Sequence, residues 1–301
     1  MSLSKRLINS NDTGGSGGLG TIAYVASSSS DSITSIDISN PSNMSELDSY
    51  SSSNLNTAQS ISLDSSNNVV YVGCRAADSI TSIDVSNPSS MSELDSYSSS
   101  NLNSVSGLAI DSVNQVAYVV SGTSDSITSI DISNPSNLVQ LDSYTSGNLD
   151  SAKGIALDLS NSVAYVASEN SDSITSIDIS NPSNLSELDT YSSSNLNGSI
   201  GVALDSVNEV AYVVSISANS ITSIDISNPS NLSELDSYSS GSTLSVVIGI
   251  SLDLSNNVAY TVSIGSNAIT SIDISNPSNL VELDSYSSSS SLNGAYAIAI
   301  N

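Results

Sequence analysis

The stretch from Ser173 to Tyr191 reads SITSIDISNPSNLSELDTY, and close copies of it occur six times in the 301-residue chain. Each copy carries one proline, and consecutive prolines are separated by 47, 47, 47, 47 and 48 residues. A repeat of this length is typical of folds that are built from one small structural unit per repeat. The six prolines are Pro41, Pro88, Pro135, Pro182, Pro229 and Pro277.

Each repeat contains four short runs with the alternation and residue types of β-strands. In the third repeat these are GLAID (107–111), VAYVV (116–120), SITSIDI (126–132) and VQLDSY (139–144), which we call strands A to D. Ser, Asn and Pro fill the connections from A to B and from C to D, so we predict tight hairpins. Strands A and B carry apolar residues on both faces, which predicts a four-stranded meander packed between two neighbours, as in a propeller blade.

The two ends of the chain complement each other. The first repeat starts at strand B (residues 21–26), and the last repeat finishes on an A-like segment, YAIAI (296–300). We therefore predict an all-β fold, a six-bladed β-propeller of residues 21–301 with four antiparallel strands per blade. The C-terminal strand 296–300 is expected to join the N-terminal blade. An open solenoid would need polar capping repeats, which the sequence does not show.

The phrase AYV, followed by ITSIDISNPSN and a return strand, resembles the LVIVD repeat, a β-propeller repeat of surface and secreted proteins, and its motif D-[IV]-S-N-P-S occurs in all six repeats. It is similar more distantly to the YVTN propellers of surface-layer proteins. The resemblance covers residues 21–301. It implies a binding or scaffolding role at a cell surface or outside the cell, and it carries over no catalytic residues.

The composition argues against several classes of function. The formal net charge of −26 disfavours nucleic acid and anionic membrane surfaces as partners, and no apolar run is long enough for membrane insertion. No signal peptide is visible at the N-terminus. There is no histidine for a nucleophilic triad, and near-identical repeats do not offer the differentiated groups that catalysis requires. We expect no enzyme activity and no resident metal or cofactor, with Ca²⁺ in the channel of a hydrolase as a remote alternative.

Two aspartate sets recur with the repeat. The set before the proline turn is expected to bond its own turn backbone rather than a metal, and its members are Asp37, Asp84, Asp131, Asp178, Asp225 and Asp273. A second set closes strand A before the A–B hairpin, and we expect it to act in turns as well. It comprises Asp64, Asp111, Asp158, Asp205, Asp253 and, in the sixth place, Asn301.

The B–C connections differ between repeats and lie on the same predicted propeller face as the D–A connections. Arg75, Lys153 and Glu169 belong to this region, so it is the candidate recognition face for a glycan or a surface protein. Neutral drift in solvated loops is the alternative. Cys74 is the only cysteine, and we assign it no role.

Residues 1–20 form a separate N-terminal arm, in which SLSKRLI precedes the Gly-rich tether GGSGGLG. We expect the arm either to be a disordered leader or to add as a strand to the outer strand of a neighbouring copy. Its candidate assembly residues are Leu3, Lys5, Arg6, Leu7 and Ile8.

The sequence thus predicts a non-enzymatic, extracellular or surface-displayed structural protein on a cell or virion, which assembles with copies of itself. Its serine-rich faces would be hydrated, or glycosylated at Asn-x-Ser/Thr sites. A carbohydrate- or protein-binding adhesion module that uses the B–C loop face is the runner-up, and the Ca²⁺-dependent hydrolase comes third.

Overall fold

The structure is a computed structural model, and it describes residues 5–9, 21–295 and 297–298. Its regular elements there are β-strands and four short 3-10 helices. No helix of this part is long and apolar enough to cross a membrane. The 3-10 helices lie in the D–A connections, at Ser53–Leu55, Ser100–Leu102, Gly147–Leu149 and Ser194–Leu196.

The strands form six four-stranded antiparallel sheets, each a meander of consecutive strands, in line with a six-bladed β-propeller. The first sheet contains β1 (Lys5–Asn9), β2 (Ile22–Ser27), β3 (Ser32–Asp37) and β4 (Ser45–Ser51). The second contains β5 (Ala58–Asp64), β6 (Val69–Cys74), β7 (Ser79–Asp84) and β8 (Ser92–Ser98). The third contains β9 (Val105–Asp111), β10 (Val116–Ser121), β11 (Ser126–Asp131) and β12 (Val139–Thr145).

The last three sheets repeat this plan. The fourth contains β13 (Ala152–Asp158), β14 (Val163–Ser168), β15 (Ser173–Asp178) and β16 (Ser186–Ser192). The fifth contains β17 (Ser199–Asp205), β18 (Val210–Ser215), β19 (Ser220–Asp225) and β20 (Ser233–Ser239). The sixth contains β21 (Val247–Asp253), β22 (Val258–Ser263), β23 (Ala268–Asp273) and β24 (Val281–Ser287).

The chain divides into two compact units, which are described separately. The first comprises Met1–Ser124 and Thr128–Leu141, and the second comprises Asp125–Ile127 and Asp142–Asn301. In each unit the apolar cores lie between consecutive sheets. In the second unit, for example, Tyr165 of the fourth sheet shares a core with Val213 of the fifth, and Tyr212 of the fifth shares one with Ala259 of the sixth.

The second strand of a typical sheet is buried along both faces, as its apolar composition predicts. All six residues of β6, β10, β14 and β18 are buried. Strands A, C and D contain small irregularities. Strand A starts two residues earlier than predicted, and its pairing with strand B shifts register next to Gly154 in the fourth sheet. In the pairing of strands C and D of that sheet, strand D has a bulge opposite Ser176 and Ile177 of strand C.

The first sheet differs from the prediction in its innermost strand. We predicted that residues 296–300 would pair with β2, but β1 occupies that position, with Leu7 opposite Val25. Residues 296, 299 and 300 lie outside the described residues, and residues 297–298 form no strand. The open edge of β2 offers backbone groups that any extended segment can satisfy, so strand-like patterning alone does not decide which segment takes the place.

Candidate functional surfaces

Every proline turn begins with an aspartate that bonds the turn backbone. The amide of Ser39 donates a hydrogen bond to Asp37 over 2.9 Å, and the bond from the Ser39 side chain, followed by this amide bond, lowers the pKa of the carboxyl. The other five members of the set accept the equivalent bond over 2.8 to 2.9 Å. The six carboxylates are therefore occupied by local turn bonds.

The proline turn is also an acceptor for the preceding sheet. The central serine of SITSID donates through its Oγ to the proline carbonyl of the next repeat. Ser176 reaches the carbonyl oxygen of Pro229 over 2.6 Å, and Ser223 reaches that of Pro277 over 2.6 Å. Ser35 and Ser82 make the same bond to Pro88 and Pro135. The serine and the proline recur in each repeat. The hydrogen bond between the serine hydroxyl of one sheet and the proline carbonyl of the following repeat therefore joins consecutive sheets.

Strand D carries a second pair of groups that join consecutive sheets. Asp189 Oδ2 accepts a hydrogen bond from the Leu232 amide over 2.7 Å, just before strand D of the following sheet. The same bond joins Asp48 to Met91, Asp95 to Leu138, Asp142 to Leu185 and Asp236 to Leu280. In the other direction, Glu234 accepts from Tyr191 over 3.3 Å and from Asn195 over 2.6 Å. Gln140 fills this acceptor position in the third sheet.

The B–C turn contains a further set that the sequence analysis did not identify. Asp172 has a left-handed backbone (φ 51°), and its carboxylate accepts from the Gly198 amide over 2.8 Å, which fixes the connection into the next sheet. The carboxylates of Asp31, Asp78 and Asp125 and the side-chain amide oxygen of Asn219 accept the equivalent bond. The signal was present in the sequence, because the residue before strand C is Asp or Asn in all six repeats although the rest of that loop varies.

The aspartates that close strand A are hydrogen-bonded within the A–B hairpin, and all but the partly exposed Asp253 are buried in the described part of the chain. Burial alone would raise the pKa of Asp158, but bonds from Ser160 and Asn161 outweigh it and lower the pKa. Asp64 behaves in the same way. Asn301, the sixth member of the predicted set, lies outside the described residues. Throughout the described part of the chain, no three Asp, Glu, Cys or His side chains come together as a metal-binding group.

Lys153 and Glu169, two of the candidate recognition residues, form an ion pair. Their Nζ and Oε2 atoms are 3.1 Å apart, and Ser151 Oγ lies 3.3 Å from the same carboxylate oxygen. Beside them, Asn170 donates to Asp150 over 3.0 Å. Lys153 comes from strand A and Glu169 from the B–C turn of the same sheet, so the pair is a local polar cluster of the fourth repeat.

Arg75 lies in the other compact unit, where its Nε donates to Ser104 Oγ over 3.1 Å. The structure therefore gives Arg75 and Lys153 separate local partners. The neighbouring Cys74 is fully buried, and burial raises the pKa of its thiol to about 12. At neutral pH the thiol is protonated and unreactive.

Of the arm residues, Lys5, Arg6, Leu7 and Ile8 lie in β1, which pairs with β2 of its own chain. Leu3 lies outside the described residues. Addition of the arm to the outer strand of a neighbour stays a prediction.

Six matches to the family model for the LVIVD repeat cover residues 19–52, 57–99, 117–146, 152–193, 210–240 and 250–288. The chain belongs to the LVIVD repeat family. Each match contains the serine, the aspartate or asparagine of the B–C turn and the proline turn described above. The serine–proline bonds that join consecutive sheets therefore lie within the residues that match the LVIVD repeat.

Solved structures share the fold of this LVIVD-repeat protein. A periplasmic gluconolactonase of Pseudomonas aeruginosa is similar with a TM-score of 0.70 and 12% identity, over 91% of this chain and 80% of that one. A functionally unknown protein of Desulfotomaculum acetoxidans gives 0.70 and 13%, over 86% and 80%. A protein of Lactobacillus plantarum gives 0.70 and 13%, over 95% and 82%. None of the curated proteins compared with the sequence matches it significantly.

Proposed function

We propose that this LVIVD-repeat protein is a non-enzymatic structural protein that assembles with copies of itself, through its sheets and its N-terminal arm. One observation carries the proposal: the polar side chains that recur in the repeats are used to join one sheet to the next. Asp189, Glu234 and Ser176 illustrate this, because each is bonded to a neighbouring sheet. A catalytic site needs polar groups that are free to contact a substrate. In the repeat motif, most of the recurring polar groups are already hydrogen-bonded within or between sheets.

We place the protein outside the cell, or on the surface of a cell or virion. The net charge of −26 supports this by favouring solubility and by disfavouring nucleic acid and anionic lipid as partners. The gluconolactonase activity named for one similar structure belongs to that protein, since an identity of 12% carries the fold alone.

The test is light scattering together with negative-stain electron microscopy, on the whole chain and on a chain that lacks residues 1–20. We expect mass that grows with protein concentration for the whole chain, and a loss of large species for the shortened one, because β1 completes the first sheet. A whole chain that stays monomeric at every concentration would contradict the proposal. If the shortened chain assembles equally well, the sheets act without the arm.

A binding module is the second candidate, and the polar cluster of the fourth repeat supports it. Strand A contributes Lys153 and the adjoining loops contribute Glu169, Asn170 and Asp150, so donors and acceptors lie together, as glycan recognition requires. The test is a glycan array with the wild type and with Lys153→Ala, while Arg75→Ala serves as a matched loss of one cation elsewhere. Binding that is lost in Lys153→Ala and kept in Arg75→Ala would support this site. No binding by the wild type would contradict it.

A further inference from the structure

Strand A carries a bulge whose residue differs between repeats. In the fourth sheet the pairing with strand B skips Lys153, which lies between Ala152 and Gly154. The second, third, fifth and sixth sheets skip the same position, and the residue after it is always Gly or Ser. A bulge re-aims its side chain, so this position offers the repeat a place for variable chemistry on a constant strand. The bulge residues are Gln59, Ser106, Lys153, Ile200 and Ile248.

A second variable position lies beside the bulge, at the first residue after strand B. In the fourth sheet the amide of Glu169 at this position donates to the carbonyl oxygen of Ser151 over 3.0 Å, and Ile216 and Ile264 make the equivalent bonds. These bonds hold the position next to the start of strand A. The two side chains meet in the fourth sheet, since Lys153 Nζ lies 3.1 Å from Glu169 Oε2.

The two positions carry matched side chains in the three sheets of the second compact unit. Both are charged in the fourth sheet, and both are isoleucine in the fifth and sixth sheets. Independent drift in solvated loops does not account for this matching. We call the four isoleucines the isoleucine surface. The pairs are Lys153 with Glu169, Ile200 with Ile216, and Ile248 with Ile264.

Neighbouring A strands bring these pairs to one end of the second unit. A Cβ atom at Gly154 would lie 2.8 Å from the Ile200 carbonyl oxygen, and one at Gly201 would lie 3.9 Å from that of Ile248. Ile200 also packs against the core that the fifth and sixth sheets share. The four isoleucines are partly exposed, so the isoleucine surface is an apolar wall beside the ion pair of the fourth sheet.

We infer that this end of the fourth, fifth and sixth sheets binds a sugar that carries an acetamido group. The inference rests on the binding module proposed as the second candidate, and it names the class of ligand. Glu169 would accept a hydrogen bond from the acetamido N–H group, and Lys153 would donate one to a neighbouring hydroxyl group of the sugar. The acetamido methyl group would lie on the isoleucine surface, where its burial favours binding.

Charge favours this ligand over two other kinds of sugar. The formal net charge of −26 repels a sugar acid, and Lys153, the only cation in the sequence of the second unit, already faces Glu169. The net charge attracts a sugar with a free ammonium group, but that group would lose its hydration against the isoleucine surface. An acetamido sugar is uncharged and brings an apolar group to an apolar wall.

The test is isothermal titration calorimetry with three trisaccharides that differ only at carbon 2 of each sugar. Chitotriose carries acetamido groups, cellotriose carries hydroxyl groups, and the glucosamine trimer carries amino groups that are protonated at mildly acidic pH. We expect chitotriose to bind at least about fourfold more tightly than cellotriose, since one buried methyl group contributes about that factor. Equal affinities, or tightest binding of the glucosamine trimer, would overturn the acetamido ligand and keep the binding module.

The glycan array separates the failure of this inference from the failure of the module. Binding of other glycans on the array, but of none of the three trisaccharides, would reject the acetamido ligand alone. The absence of any glycan binding by the wild type would reject both.

Variants that copy other repeats test the roles of the residues. Ile200→Ser copies Ser106 and Lys153→Gln copies Gln59, so each introduces a side chain that the same bulge already accommodates. We expect Ile200→Ser to weaken chitotriose binding about fourfold and to leave cellotriose binding unchanged, because it removes only the apolar contact. Lys153→Gln should weaken the binding of both. An Ile200→Ser variant that binds chitotriose like the wild type would overturn the inference.

Two further variants control for effects on the fold. Ile264→Ser, which copies Ser28, removes part of the isoleucine surface without changing strand A, and it should also weaken chitotriose selectively. Val207→Ser is the matched control, because it removes an apolar side chain that is 87% exposed in the A–B hairpin, at the other end of strand A. It should bind all three sugars like the wild type. An equal loss of chitotriose binding in Val207→Ser would contradict the assigned surface.

Discussion

At the residue scale, the carboxylates of this acidic chain are mainly hydrogen-bond acceptors for backbone amides. Asp158 accepts within its hairpin, Asp172 accepts from the connection to the next sheet, and Asp189 accepts from the next sheet itself. Three positions in one repeat thus use the same chemical group for three different contacts. A high content of aspartate follows from this use, since a charged acceptor forms a stronger bond than a neutral one.

The lowered pKa of Asp158 predicts a pH-dependent contribution to stability. A carboxyl whose pKa is lower in the folded state stabilises above its unfolded pKa of about 3.9, and this contribution is lost as the pH falls through the folded value. We expect Asp158→Asn to lower the free energy of unfolding at pH 7, and the difference from wild type to shrink below about pH 4. Urea unfolding at pH 7 and pH 3 measures it. A difference that does not depend on pH would contradict the assignment.

Two serines at one repeat position predict opposite effects of the same substitution. The buried Ser168 hydroxyl has no hydrogen-bond partner among the described residues, whereas that of Ser215 lies 3.3 Å from Ser199 Oγ. We expect Ser168→Ala to leave the protein equally stable, or more stable by about 1 kcal/mol, and Ser215→Ala to cost about 1 kcal/mol. Equal losses in chemical denaturation would contradict the expectation.

At the element scale, neighbouring strands adjust to each other within a sheet. Strand A has glycine at residues 107, 154, 201 and 249, and strand B has Val or Ala opposite it. In the second sheet the glycine is in the other strand, because strand A has Ser60 and strand B has Gly73 opposite it. A Cβ atom at Gly73 would meet the Ser60 side chain and lie 2.6 Å from Val105 Cγ1. The serine therefore fills the space that a strand-B side chain takes in the other sheets.

This exchange predicts a coupled pair of substitutions. Gly73→Ala alone is expected to cost about 1–3 kcal/mol, because the added methyl group overfills the gap. Ser60→Gly with Gly73→Ala rebuilds the pairing of the fourth sheet, Gly154 opposite Ala167, and should recover the part of the loss that comes from Ser60, while the contact with Val105 Cγ1 remains. Thermal unfolding of the two single variants and the double variant gives the coupling energy. Additive effects would show that the two side chains do not share this space.

Between sheets, the aspartate of strand D gives a matched comparison. Asp189 accepts a hydrogen bond from the Leu232 amide of the next sheet, whereas Asp178, at the end of strand C, accepts from the Ser180 amide of its own exposed turn. Asp189→Ala is expected to cost about 1.5–3 kcal/mol, since it leaves the Leu232 amide without its charged acceptor. Asp178→Ala should cost less, because the Ser180 amide lies in an exposed turn where water can replace the carboxylate. Denaturation at a protein concentration too low for assembly measures both, and similar losses would contradict the assigned roles.

Hairpins and strands were predictable because their signals are local. Alternation, tight-turn residues and a constant spacing all lie within one repeat of the sequence. The bonds between sheets were not predictable, because Asp189 and Leu232 belong to different repeats and only the fold brings them together. The turn position of Asp172 could have been found, since Asp or Asn persists there in every repeat. The innermost strand of the first sheet could not, because two terminal segments have suitable patterns.

At the scale of the whole molecule, charge opposes both folding and assembly. The net charge of −26 makes each molecule repel itself and its copies. Few cations offset it, and Lys153 is paired with Glu169. The chain is stable where its many short-range bonds exceed this repulsion, and salt controls the balance because it screens the longer-range repulsion more than the bonded contacts.

This balance predicts a favourable effect of salt. Raising NaCl from about 10 mM to 150 mM shortens the Debye length from about 30 Å to 8 Å. We expect the melting temperature to rise and assembly to begin at a lower protein concentration. Differential scanning calorimetry and light scattering over the salt series measure the two effects. A melting temperature that falls with added salt would mean that attractive surface ion pairs outweigh the repulsion.

The bonds between sheets have a consequence for how such a gene can change. In the first four sheets the strand-D aspartate reaches a residue 43 positions further on, and in the fifth sheet the pair Asp236 and Leu280 tolerates a spacing of 44. Every bond of this series needs only the next repeat along the chain. Unequal recombination between the near-identical repeats would delete or add a whole module and leave this series intact. Natural length variants with five or seven repeats are therefore expected to fold, and the copy number can drift within a population.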